Sequence, residues 1–138
     1  EIEQRDDQGT LGLFCEADQR WVVATLTDAG RARMAQVAPD QSEPWRGLGV
    51  SILRRLVIET LLDQQEIARP EYVHLVPELI EQLERGDEDG SRFPLASLVM
   101  PATLEHIRTI SHNGERMPAK STYFYPKLLS GLVINPLE

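Results

Sequence analysis

Apolar positions along this 138-residue chain change period repeatedly, from two to nearly four and back. Leu11–Glu16 and Trp21–Thr27 are rich in β-branched and aromatic residues. Ala17-Asp18-Gln19-Arg20 between them supplies a turn, so the spacing predicts a hairpin. Asp28 is placed to cap a helical turn through Arg31–Val37, weakened by Gly30 and Pro39. Residues 38–49, with Pro39, Pro44 and two glycines, read as a loop that Trp45 anchors to the body. The clearest helix is Val50–Leu62, where Leu53, Leu56, Val57 and Leu61 recur at helical spacing and Arg54, Arg55 and Glu59 fall elsewhere.

The second half alternates between the two periods. Tyr72–Leu75 reads as a short strand. A helix follows, with Pro77 in its first turn, an apolar stripe of Val76, Leu79, Ile80 and Leu83, Arg85 near its end and Gly86 as terminator. Beyond the acidic turn Asp87–Gly90, Leu95–Met100 reads as a strand, so residues 72–100 predict a β-α-β crossover between parallel strands. Pro101 opens a further helix through Leu104, Ile107 and Ile110, closed by Asn113-Gly114. Thr122–Tyr125 and Leu132–Ile134, punctuated by Pro126 and Ser130-Gly131, predict a terminal edge hairpin. The expected fold is α+β: a mixed sheet of about six short strands with roughly three or four helices, one crossover and terminal hairpins. Residues 1–9 read as a flexible lead-in and 10–138 as one domain.

Composition narrows the function classes. Apolar residues are 41% and charged residues 26%, ordinary for a globular protein. No apolar run approaches the ~20 residues that span a bilayer, so no membrane partner is expected. The net charge of −8 is uneven. Residues 1–103 hold ten Lys/Arg against nineteen Asp/Glu, and residues 104–138 hold four against three. An acidic chain repels a phosphate backbone, so nucleic acid is not an expected partner. The single Cys15 permits no internal disulfide and fits a reducing, cytoplasmic setting. Glu1 in place of an initiator Met suggests a processed chain or, as the favoured expectation, a fragment of a longer protein.

The tail concentrates the chemistry. Both lysines of the chain, Lys120 and Lys127, lie there, as do three of its eight aromatic residues: Tyr123, Phe124 and Tyr125. Gly114-Glu-Arg-Met-Pro-Ala-Lys120-Ser121 is one substitution from a phosphate-binding loop. However, Ala119 replaces the second Gly, Pro118 removes an N–H donor, and the flanking pattern is helix before and strand after, the reverse of what that loop needs. A less demanding arrangement is open to the same residues. Arg116, Lys120, Ser121, Thr122 and Lys127 gather cations and hydroxyl donors that can hold a small anionic or phosphorylated ligand. Equally, the lysines can pair with nearby carboxylates or protect an exposed strand edge. In a strand, Tyr123 and Tyr125 share a face opposite Phe124, which suits an interface and a homodimer.

Other polar residues carry less. His74, His106 and His112 lack zinc-ligand spacing, and no metal site is expected. Cys15, beside Phe14, reads as a small core residue. Asp87-Glu88-Asp89-Gly90 lacks the spaced ligands of a calcium loop. Glu115 is a base if a ligand sits beside it, and a salt-bridge partner otherwise.

Residues 114–137, Gly-Glu-Arg-Met-Pro-Ala-Lys-Ser-Thr-Tyr-Phe-Tyr-Pro-Lys-Leu-Leu-Ser-Gly-Leu-Val-Ile-Asn-Pro-Leu, resemble the C-terminal signature of an uncharacterised, mainly bacterial family, the domain of unknown function numbered one thousand and fifteen. Gly49-Val50-Ser51-Ile52-Leu53 and the pattern of 72–100 are similar to its upstream part. The resemblance covers most of residues 10–138 and implies a missing N-terminal half as a partner. It carries no assigned activity or cofactor. The association of that half with ParB-like nucleotide-handling folds and serine metabolism implies a small-molecule phosphotransferase. Two expectations follow: a ligand-binding half of a larger metabolic enzyme, or a non-catalytic structural or dimerisation domain.

Overall fold

The computed structural model describes residues 7–65, 70–86 and 89–123. Strand β1, Thr10–Cys15, pairs antiparallel with β2, Arg20–Thr25, in a register that sets Leu13 opposite Val22 and Phe14 opposite Trp21. Gln19 turns the chain between them in the left-handed region, at φ 50°. Phe14 is buried, and its ring lies 5.3 Å from that of Trp21, within the range of favourable aromatic pairs. The other edge of β1 takes β3, Leu95–Leu98, also antiparallel, with Phe14 opposite Ala96. Strand order is β2-β1-β3.

This sheet corrects the expected architecture. The fold is α+β, but among the described residues it holds one three-stranded antiparallel sheet, not a mixed sheet of about six strands. The run Tyr72–Leu75 forms no strand, and β3 runs antiparallel to the strand it joins, so there is no β-α-β crossover among the described residues. A β-rich run becomes a strand only when a neighbouring strand and a sheet face receive it. Tyr72 and Leu75 are exposed, and His74 instead stacks on Tyr123, with ring centroids 3.7 Å apart. Of the expected terminal hairpin, Thr122 and Tyr123 are described and neither is in a strand; residues 124–138 lie outside the described residues.

Helix α1 spans Asp28–Val37, and its cap is Thr27 rather than Asp28: the Thr27 hydroxyl accepts from Gly30 N–H at 3.2 Å. A Cβ on Gly30 would meet Leu26 Cδ1 at 2.6 Å, so the helix starts hard against the chain leaving β2. The supposed loop of residues 38–49 contains a short helix α2, Glu43–Arg46, capped by the Ser42 hydroxyl. Helix α3 begins as one α-helical turn, Gly49–Ser51, and continues as a π-helix from Ile52 to Leu61. The wider winding is visible in its bonds, since Leu62 N–H donates to Val57 O five residues back.

Leu11, Met34, Ile52 and Leu56 form the buried centre, joining β1, α1 and α3, with Leu13, Leu26, Val37, Leu53 and Val57 around it. Each such side chain contributes about 1.5–3 kcal/mol by leaving water. Helix α4, Val76–Arg85, ends as its sequence implies at Gly86, which has φ 79°. A Cβ there would stand 2.8 Å from Ser91 O, so only glycine fits this turn. Helix α5, Leu104–His112, begins with a reciprocal cap: His106 N–H donates to the Thr103 hydroxyl, and Thr103 N–H donates to His106 Nδ1. Ile110 is wholly buried, and α5 contacts α2. The expected lead-in is tied down from residue 7 onward. Gln8 accepts from Gly49 N–H through Oε1 and donates to Pro101 O through Nε2.

Candidate functional site

The start of α3 and the turn after α5 enclose a groove of about 240 Å³. Val50, Ser51, Arg54, Arg55 and Glu59 form one wall, Pro118 and Ala119 the other, and Trp45 closes one side. Two bonds hold the second wall in place. The Glu115 carboxylate accepts from Ser42 N–H at 2.6 Å, and the Trp45 indole Nε1 donates to Arg116 O at 3.1 Å. The short helix α2 thus serves as the post to which residues 115–116 are tied. Beyond it the chain turns back on itself: Ser121 N–H and Oγ both donate to Pro118 O, at 3.3 and 2.6 Å. That turn puts Lys120 in the left-handed region at φ 60°, an uncommon conformation for a side-chain-bearing residue.

Charge at the groove is set by one carboxylate between two guanidinium groups. Arg54 Nε donates to one oxygen of Glu59 at 3.1 Å and Arg55 Nη1 to the other at 2.8 Å. The Arg55 pair is an ordinary one-turn spacing. The Arg54 pair, five residues apart, meets because the π winding brings those positions over one another. Thr60 follows the same geometry, its hydroxyl donating to Arg55 O. Burial alone would raise the Glu59 pKa, but the hydrogen bonds from Arg55 and Arg54 and their positive charge outweigh it, so the carboxyl lies below its usual range. Each arginine spends one N–H of several on Glu59 and keeps the rest for another acceptor. By sequence, residues 42–59 and 115–121, which contribute the groove's lining, carry Arg46, Arg54, Arg55, Arg116 and Lys120 against Glu43, Glu59 and Glu115, a cationic balance on an acidic chain.

The tail residues singled out from the sequence are only partly brought together here. Lys120 is exposed and makes no ion pair among the described residues, and the groove wall is formed by its neighbours Pro118 and Ala119. Arg116 contributes its backbone carbonyl to the Trp45 bond. The Ser121 hydroxyl is used in its own turn, and Thr122 is exposed. Tyr123 stacks on His74. Lys127 and Tyr125 lie outside the described residues. Sequence reasoning missed Ser51, Arg54, Arg55 and Glu59 as site residues. The one-turn Arg55–Glu59 spacing was a readable signal, whereas the Arg54–Glu59 contact depends on a helical winding that no residue pattern announces.

No protein-family model, curated protein or solved structure matches this chain. The resemblance of the tail to the uncharacterised bacterial family therefore gains no support beyond the residues that suggested it. Among the described residues, no three His, Cys, Asp or Glu side chains are grouped as metal ligands, and no helix is long and apolar enough to cross a membrane.

Proposed function

We propose that the groove between α3 and the 118–121 turn binds a small anionic ligand, as one part of a larger metabolic enzyme. The observation that carries this reading is the pair Arg54 and Arg55, which share a single carboxylate and line the same groove as the turn that bears Lys120. Two guanidinium groups on one carboxylate leave a net positive charge and unused donors beside a concavity. An anion meets that need better than a neutral solute. The groove, at about 240 Å³, is smaller than the ~300–1,000 Å³ of drug-sized sites, which suits a ligand of few atoms. Of the residues expected from the sequence, Lys120 directly follows the wall residues Pro118 and Ala119, and this proximity supports a further cationic contact from that side.

Isothermal titration of the 138-residue chain with a panel of small phosphates and carboxylates tests this reading. Arg55→Ala is expected to weaken binding about tenfold, and Lys120→Ala by a smaller factor because its ammonium stays solvated. Binding that is unchanged in both variants removes the groove from consideration.

A further inference from the structure

We propose that the anion is a tetrahedral phosphate group and that the Ser51 hydroxyl is one of its hydrogen-bond donors. This inference rests on the anion-binding reading above and names its ligand class. Ser51 closes the single α-helical turn that precedes the π-helix, borders the groove, and is only 1% exposed. Its Oγ is buried and has no hydrogen-bond partner. That is unusual for a helical serine, whose hydroxyl ordinarily bonds a carbonyl one turn back. A buried hydroxyl without a partner is destabilising, and folded proteins keep few of them except where a site uses them. Donation to a ligand therefore requires a rotation about the Cα–Cβ bond of Ser51 that brings the buried Oγ to the groove its residue borders.

The donors at this wall differ in kind and position. Arg54 and Arg55 each retain N–H groups not spent on Glu59, and Ser51 lies one turn before them on the same helix. A carboxylate offers two oxygens in one plane, which a single guanidinium fork satisfies. A phosphate group spreads three terminal oxygens around a tetrahedron, so it can meet two guanidinium groups and a hydroxyl from separate directions. The Glu59 carboxylate repels any anion, a dianion more than a monoanion, so the preference for phosphate rests on the guanidinium and hydroxyl donors alone.

The test is calorimetric titration of the 138-residue chain with inorganic phosphate and with acetate, using the native sequence, Ser51→Ala and Arg55→Ala. Phosphate is expected to bind at least about tenfold more tightly than acetate. Ser51→Ala should lose about tenfold for phosphate and little for acetate, in keeping with a hydrogen bond to a charged acceptor. The unliganded Ser51→Ala protein should have a urea midpoint equal to or above that of the native chain, because a partnerless buried hydroxyl has been removed. A lowered midpoint would mean that the hydroxyl has a structural partner, and it overturns the proposal. Equal affinities for phosphate and acetate, both lost in Arg55→Ala, overturn the phosphate assignment while leaving the anion site standing. Absence of binding by either probe overturns both.

Discussion

Replacing Glu59 by glutamine removes the charge that two arginines share and leaves the side-chain shape almost unchanged. The expected cost follows from exposure and geometry. Glu59 is 16% exposed at its side chain, but its partners Arg54 and Arg55 are 64% and 42% exposed. Solvent therefore screens both pairs, and each falls near the ~0.2–1 kcal/mol range of accessible ion pairs. The amide oxygen of the substituted side chain still accepts one of the two bonds, so a loss of about 1 kcal/mol in total is expected at neutral pH. The pH dependence gives the sharper reading. In the folded chain the Glu59 carboxyl is lowered from its usual 4.5, so protons bind preferentially to the unfolded chain. Its contribution is complete above the ordinary glutamate range and disappears as the pH falls through the folded value. Urea unfolding of the native and variant proteins between about pH 7 and pH 3 should show two stability curves that converge toward acid. Parallel curves across that range would refute the ion-pair account of α3. The same variant leaves both guanidinium groups without their carboxylate, and phosphate affinity should rise severalfold.

Other perturbations address the frame around the groove. Gly86→Ala forces a side chain into a left-handed turn and against Ser91 O, and should cost at least about 1–2 kcal/mol by chemical denaturation. Ile110→Ala empties a wholly buried position on α5, where the Ile110 backbone carbonyl accepts from Glu115 N–H. A loss of about 2–5 kcal/mol is expected, read as a lower thermal midpoint. Thr103→Ala removes one half of the α5 cap and should cost about 1 kcal/mol, with no change in anion affinity measured by titration. Trp45→Phe keeps the aromatic side of the groove but deletes the indole donor to Arg116 O. Trypsin should then cut more quickly after Lys120, while equal cleavage rates would show that the Glu115 bond holds the segment alone.

What could be read from the residues was local. The first hairpin follows from two β-rich runs and a polar turn, and it forms where expected because all its bonds lie within one short stretch. The stop of α4 at Gly86 and the body of α5 around Ile107 and Ile110 are likewise matters of near neighbours. Helix starts were partly misplaced: Thr27 and Ser42 take caps that Asp28 and the supposed loop obscured. Competing polar residues at adjacent positions can each cap, and packing selects among them. The tail's cationic character was plain in the sequence, but the opposite wall of its groove was not, because that wall lies in a segment far away along the chain.

Residue order alone determined the short-range structure: where the chain turns, where helices break, and where the only lysines lie. Tertiary structure decided the partner of β1 and the winding of α3. A strand's neighbour is chosen by which distant edge can receive its backbone bonds, so β3 meets β1 antiparallel despite the helices between them. The π winding sets Arg54 beside Glu59, five residues on, while Ile52 and Leu56 on the same helix reach the core. Hydrophobic burial and charge pairing act across the whole fold, and both converge on α3.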